Sequence, residues 1–171
     1  MAVRLDEYYG GPQDVEWAVT PEGAIYILQC RPLQQMDIKG RVRPASDQER
    51  EAGPVIARGG VTASPGIASG QVFIVKNAID KLKFPDEAVL VTSQSLPRWA
   101  PLLSRAVAVV TELGGVAGHL ANVAREFGVP ALFGVPAATK DLKNGDLVTV
   151  DADGLTIYEG RVESLLMMQE K

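Results

Sequence analysis

The chain has 171 residues, enough for one domain of ordinary size and some further material. Hydrophobic residues make up 46% and charged residues 22%, which allows a packed core and excludes wholesale disorder, and a net charge of −4 gives no electrostatic case for binding nucleic acid or an anionic membrane. A lone cysteine, Cys30, excludes an internal disulfide, and no apolar run is long enough for a signal core or a bilayer span, so a soluble cytoplasmic chain is expected.

In chain order, Asp14 to Val19 alternates apolar and polar residues, with Val15, Trp17 and Val19 on one face, as a strand does. Thr20-Pro21-Glu22-Gly23 reads as a turn, and Ala24 to Gln29 as the returning strand of a hairpin. If Val19 pairs with Ala24, then Glu16 pairs with Ile27 and Asp14 with Gln29, and Glu16, Gln29 and Arg31 share one face. A hairpin is marginal alone, so residues 1–33 are expected to belong to a larger sheet, and the chain to be a piece of a longer protein. Gln34 to Arg58 is rich in charge and poor in periodicity. It is expected to be a linker, with a short helix near Ser46 to Ala52.

From Gly59-Gly60 onward the pattern is denser. Gln71 to Lys76 is a predicted strand, and Ala88 to Thr92 and Ala106 to Thr111 are short apolar runs of buried-strand character. Between the two runs, Leu96 to Ser104 reads as a short helix begun by Pro97. Leu120 to Phe127 suits a helix stopped by Gly128 and Pro130, and Ala131 to Phe133 a brief strand. Leu147 to Val150 and Leu155 to Tyr158 form a hairpin about Asp151-Ala152-Asp153-Gly154, and Arg161 onward has helical spacing. The predicted class is mixed α/β.

The only histidine, His119, falls where a glycine-rich turn runs into the Leu120–Phe127 helix. No other side chain type titrates near pH 7 at its ordinary value. Gly114, Gly115 and Gly118 allow the backbone to approach a ligand without Cβ obstruction. The first-turn amides of a helix lack internal partners and favour anions, and the positive helix end disfavours imidazolium. A neutral nucleophile beside a phosphate-binding turn is one reading; a histidine that merely caps or packs is the other. A P-loop is excluded because Gly-Lys-Ser/Thr is missing, the Rossmann spacing does not fit, and one His with one distant Cys makes no zinc site.

Gly114-Gly115-x-x-x-His119, followed by Ala124-Arg125-Glu126-Phe127-Gly128-Val129-Pro130-Ala131, resembles the swivelling phosphohistidine domain of PEP-utilising enzymes. That family includes phosphoenolpyruvate synthase, pyruvate phosphate dikinase, rifampicin phosphotransferase and enzyme I of the sugar phosphotransferase system. Ser64-Pro65-Gly66-Ile67-Ala68-Ser69-Gly70 is similar to the opening of that domain, and Asn144-Gly145-Asp146 with Val150-Asp151-Ala152-Asp153-Gly154 to its close. The segments from Pro12 to Ala18 and from Tyr26 to Pro32 resemble the last hairpin of the ATP-grasp nucleotide domain in the synthase and dikinase branch, a part enzyme I lacks.

The resemblance implies a β/β/α swivelling domain over 59–160, an ATP-grasp hairpin over 1–33, a linker over 34–58 and a C-terminal helix over 161–171. It implies that His119 takes a phosphoryl group from ATP, that the domain swings, and that pyruvate or another acceptor receives the group. Gly114, Gly115 and Gly118 would form the phosphate loop. Glu16 and Gln29 would help hold Mg²⁺ on ATP, with Arg31 on phosphate, once the rest of the nucleotide domain is present. The partners implied are that nucleotide domain and an acceptor domain, and neither turnover nor a bound cofactor is expected of this piece alone. Relatives usually carry Thr, Ser or Cys just before the histidine, where this chain has Ala117 and Gly118. That departure favours an alternative, a non-catalytic interaction module retaining the fold; a stand-alone carrier between separate proteins is a third reading. Arg125 could lend charge to the phosphate, but six residues on it lies about 120° around the helix, so pairing with Glu112 or solvation is expected instead.

Overall fold

The computed structural model describes residues 2–11, 13–32 and 53–169. The chain divides into two compact units, Met1–Gly40 and Arg41–Lys171. The helix expected near Ser46 to Ala52, and the predicted linker up to residue 52, lie outside the described residues.

The first unit is α1 (Ala2–Tyr9) followed by the antiparallel hairpin β1 (Gln13–Val19) and β2 (Ile25–Pro32). The turn is one residue longer than the sequence suggests. The Thr20 amide donates to the Ala24 carbonyl at 2.9 Å, and the Gly23 amide, at φ +86°, to the Thr20 carbonyl at 2.9 Å. Val19 therefore pairs with Ile25 rather than Ala24, and a bulge between Glu16 and Trp17 shifts the register once more, so that Glu16 faces Gln29. Two one-residue shifts in the same direction restore parity. Glu16 and Gln29 thus share a face, by a route the sequence did not predict, with Asp14 opposite Arg31 in register. Trp17, Tyr26 and Leu28 remain exposed, as expected of a hairpin with no core of its own.

The second unit is built on eight strands: β3 (Val55–Arg58), β4 (Val61–Ser64), β5 (Ile67–Ile74), β6 (Ala88–Gln94), β7 (Ala106–Leu113), β8 (Ala131–Phe133), β9 (Leu147–Asp151) and β10 (Thr156–Glu159). Their spatial order is β3-β10-β9-β5-β6-β7-β8-β4. The central run β5-β6-β7-β8 is parallel, and the flanking pairs are antiparallel. The elements joining the strands include α2 (Ala78–Lys83), a 3₁₀ helix (Pro97–Leu102), α3 (His119–Phe127) and α4 (Ala138–Asp141); α5 (Glu163–Gln169) follows β10.

Both faces of the central strands are buried, which is why β6 and β7 read as unbroken apolar runs instead of alternating. Leu90, Val109 and Phe133 pack on one face with Leu120, Ala124 and Trp99. Val89, Val91, Ala108, Val110 and Leu132 pack on the other with Ala138 and Leu142. Among the described residues no helix is long and apolar enough to cross a membrane.

Val55–Arg58 corrects the predicted linker, which ran to Arg58. This segment is an edge strand on β10, with Ala57 buried opposite Ile157. Four residues ending in a charge are too few for periodicity to register, and only the partner strand selects the extended state. Helix α2 also escaped the sequence reading, because none of its residues is buried. A capping box holds it: Asn77 Oδ1 accepts from the amides of Ile79 (2.8 Å) and Asp80 (3.1 Å), while Asp80 Oδ2 accepts from the Asn77 amide (3.1 Å). With no packing to compensate, Asn77→Ala is expected to weaken this helix by about 1 kcal/mol. Faster amide exchange at Ile79 and Asp80, with β9 unchanged, is the measurement that checks it.

Candidate functional site

Strand β7 ends at Leu113, the loop runs over Gly114 to Gly118, and His119 is the first residue of α3. Strands β6, β7 and β8 are mutually parallel, so their C-terminal ends share one rim, where α/β sheets place ligands.

The glycines divide into two kinds. Gly114 has φ +148°, and a Cβ there would stand 2.2 Å from Ser95 Oγ and 3.4 Å from the Phe133 ring. The fold therefore requires glycine at this position, where the chain leaves β7 and crosses the end of β6. Gly115 is different: a Cβ there would meet nothing within 4 Å. A Cβ on Gly118 would meet only the Gly115 carbonyl at 3.3 Å, and its φ is an ordinary −70°. Nothing inside the fold demands glycine at 115.

The Gly118 amide donates to the Gly115 carbonyl at 3.1 Å, and the Asn122 amide to the Gly118 carbonyl at 3.1 Å. The Gly118 amide is thus committed within the loop. Gly118 caps α3 without a side-chain bond, and among the described residues no group accepts from the amides of His119, Leu120 or Ala121. Leu120 and Ala121 are fully buried, whereas His119 is exposed, so its amide is the one of the three in an exposed residue. The helix ends as predicted. Gly128, at φ +64°, donates back to Ala124, and Val129 does the same at 2.9 Å.

Two charged residues correct the sequence reading. Arg125 is half-buried and does not pair with Glu112. One guanidinium nitrogen donates to the Ala63 carbonyl at 2.6 Å and to the Val116 carbonyl at 3.1 Å, and the other to Asn122 Oδ1. Side chains on a helix lean toward its N-terminus, which carries this one back over the loop. Glu112 instead accepts from Thr139 in α4, at 2.6 Å from the hydroxyl and 2.9 Å from the amide.

The Thr139 hydroxyl holds the Glu112 carboxyl below its ordinary value of 4.5; partial burial opposes this, and the Thr139 amide and the Lys140 charge assist. A carboxylate lowered in the folded state stabilises fully above its unfolded value, and that stability is lost as pH falls through the folded value. Thr139→Val is therefore expected to flatten the acid side of the stability profile below pH 4.5. Melting temperature against pH for the two proteins checks it.

In the first unit, Glu16 and Gln29 are exposed cross-strand partners with side chains on one face, and Arg31 lies two residues beyond Gln29 in β2. Among the described residues no three His, Cys, Asp or Glu side chains cluster as a metal site. Ser95 beneath the loop was missed. Nothing in its spacing from Gly114 reveals that β6 ends beside β7 in space.

Residues 84–154 match the family described as PEP-utilising enzyme, mobile domain, and residues 1–52 that described as pyruvate phosphate dikinase, AMP/ATP-binding domain. A probable phosphoenolpyruvate synthase of Archaeoglobus fulgidus is 42% identical over 159 residues, covering 93% of this chain and 21% of that protein. The phosphoenolpyruvate synthase of Pyrococcus furiosus is 40% identical over 174 residues, covering 100% of this chain and 21% of that protein. The chain thus spans about a fifth of the length of the curated relatives it matches. Among solved structures, Enzyme I (nEIt) aligns with a TM-score of 0.42 at 25% identity, over 50% of this chain and 35% of that one.

Proposed function

Over residues 84–154 the chain belongs to the mobile-domain family of PEP-utilising enzymes, and from that premise we propose that it is a phosphoryl carrier whose nucleophile is His119. The observation that supports this most is the placement of His119. The only imidazole in the chain is exposed on the first turn of α3, behind a glycine loop, at the C-terminal rim of parallel strands. An anion held there meets the positive helix end and at least one main-chain donor.

In this reading an imidazole nitrogen attacks a phosphoryl group of ATP, an N–P bond forms, and the nucleotide leaves with the bonding pair of the broken P–O bond. An acceptor oxygen then attacks the same phosphorus, and the imidazole departs. The carrier's task is positioning, since it must present one phosphorus in line to two partners in turn. ATP and Mg²⁺ belong to the whole enzyme, in keeping with the AMP/ATP-binding match over residues 1–52. Glu16 and Gln29 fit a share in a magnesium site, because they are adjacent oxygen donors on one strand pair, and Arg31 fits a phosphate contact. Magnesium there would neutralise phosphate charge. Pyruvate is the acceptor best in keeping with the phosphoenolpyruvate synthase relatives, and the nucleotide and acceptor parts are the partners.

The test combines this chain with the separately produced nucleotide-binding part of such an enzyme and with β- or γ-labelled ATP. Acid-labile, base-stable label on this chain is expected. Label that survives acid, or none from either position, overturns the assignment.

A second reading has one observation in its favour. Ala117 and Gly118 supply no hydroxyl beside the imidazole, which suits an interaction module that kept the fold and lost the chemistry. The exposure of His119 supports the carrier instead.

A further inference from the structure

We propose that Arg125 is a positioning residue that holds the Gly114–Gly118 loop in the shape required for transfer, and that it does not itself bind the phosphoryl group. The functional consequence rests on the carrier reading of His119; the structural role does not.

The case begins at the sheet edge. In the pairing of β4 with β8 the register shifts between Thr62 and Ser64, leaving Ala63 without a partner across the ladder. A bulged residue of this kind has a backbone group that must find a partner elsewhere. The Ala63 carbonyl finds Arg125, at 2.6 Å. The same guanidinium nitrogen donates to the Val116 carbonyl, in the middle of the glycine loop, at 3.1 Å, and the second nitrogen holds Asn122 on α3. One rigid planar group thereby ties together an edge strand, the loop and the helix that carries His119.

The chemistry is specific to arginine. Its donors lie in a fixed fork, while a lysine offers a single ammonium that cannot keep the three acceptors at the same separations. The loop needs such a tie. Gly115 has no side chain to pack, and no neighbour stands within 4 Å of where its Cβ would be. Within the turn, the Gly118 amide donates to the Gly115 carbonyl. A guanidinium committed to Ala63, Val116 and Asn122 is poorly placed to serve the phosphate as well.

The experiment uses the full chain with Arg125→Lys and Arg125→Ala, and two readouts. The first requires no phosphoryl chemistry: backbone amide signals of Gly115 to Gly118, and the ring signals of the only histidine, by NMR. Loop signals are expected to shift and exchange faster, while those of β9 and β10 stay in place. The second is uptake from phosphoramidate, a small donor that needs no nucleotide domain. The imidazole nitrogen forms the new N–P bond, the donor's N–P bond breaks, and ammonia leaves with the bonding pair.

Uptake is expected to fall by about ten- to a hundred-fold in both variants, since a misplacement of about 1 Å can cost about a hundred-fold. Free guanidinium ion at low millimolar concentration should restore part of it in Arg125→Ala, which a denaturant could not do for a protein that had simply lost its fold. If Arg125→Ala does not fold, Arg125→Lys carries the test. Unmoved loop signals with unchanged uptake in a folded variant overturn the proposal. A parent chain that takes no phosphoryl group sinks the carrier reading, and the loop signals still decide the positioning role.

Discussion

His119→Gln is expected to abolish phosphoryl uptake from labelled ATP, by about a thousand-fold or more, while leaving the melting temperature unchanged. The two halves of this expectation have separate causes. Removing a nucleophile eliminates the covalent step, and no other side chain in the chain is an imidazole. The stability half follows from exposure. His119 is exposed, and among the described residues no hydrogen bond or ion pair holds its side chain, so its truncation should cost no more than about 0.5 kcal/mol. Gln keeps a polar side chain at the helix start and cannot form a phosphohistidine. Uptake that persists in the folded variant ends the assignment of His119. Lost uptake accompanied by a large drop in melting temperature would mean that the residue is structural.

Gly114→Ala is expected to destabilise the second unit by about 2–4 kcal/mol, read as a fall of about 10 °C in melting temperature. Its φ of +148° is a conformation L residues rarely adopt, and the new methyl would lie 2.2 Å from Ser95 Oγ and 2.6 Å from Ser95 Cβ. Rotation of the serine relieves the first contact and not the second. The control is one residue away. Gly115→Ala places its methyl in open space, so stability should change by less than about 1 kcal/mol. If the open space at Gly115 is where the phosphoryl group sits, Gly115→Ala should still slow uptake about ten-fold. Equal destabilisation by the two substitutions would contradict the division of labour between them.

Much of the second unit was legible because the signals are local. The apolar runs of β6 and β7, the glycine stop after α3 and the β9–β10 hairpin each follow from composition over a few residues. The glycines before His119 could be read for the same reason, since a turn between a strand and a helix has few chemical solutions. The hairpin register shows the limit of that method. Glu16 reached Gln29 only because an extra turn residue and a bulge displaced the strands together, and neither is encoded by alternation.

The sequence by itself determined that this is a mixed α/β chain with one titratable imidazole at a glycine turn. Periodicity, glycine spacing and the singular histidine are properties of consecutive residues. Only the tertiary structure decided which glycine is compelled by the fold, that Glu112 answers to Thr139, and that Arg125 reaches a carbonyl on a strand 62 positions away. Those are contacts between residues remote in the chain. Their partners are chosen by how the sheet orders its strands and where a bulge leaves a backbone group unpaired, and no local pattern carries that information.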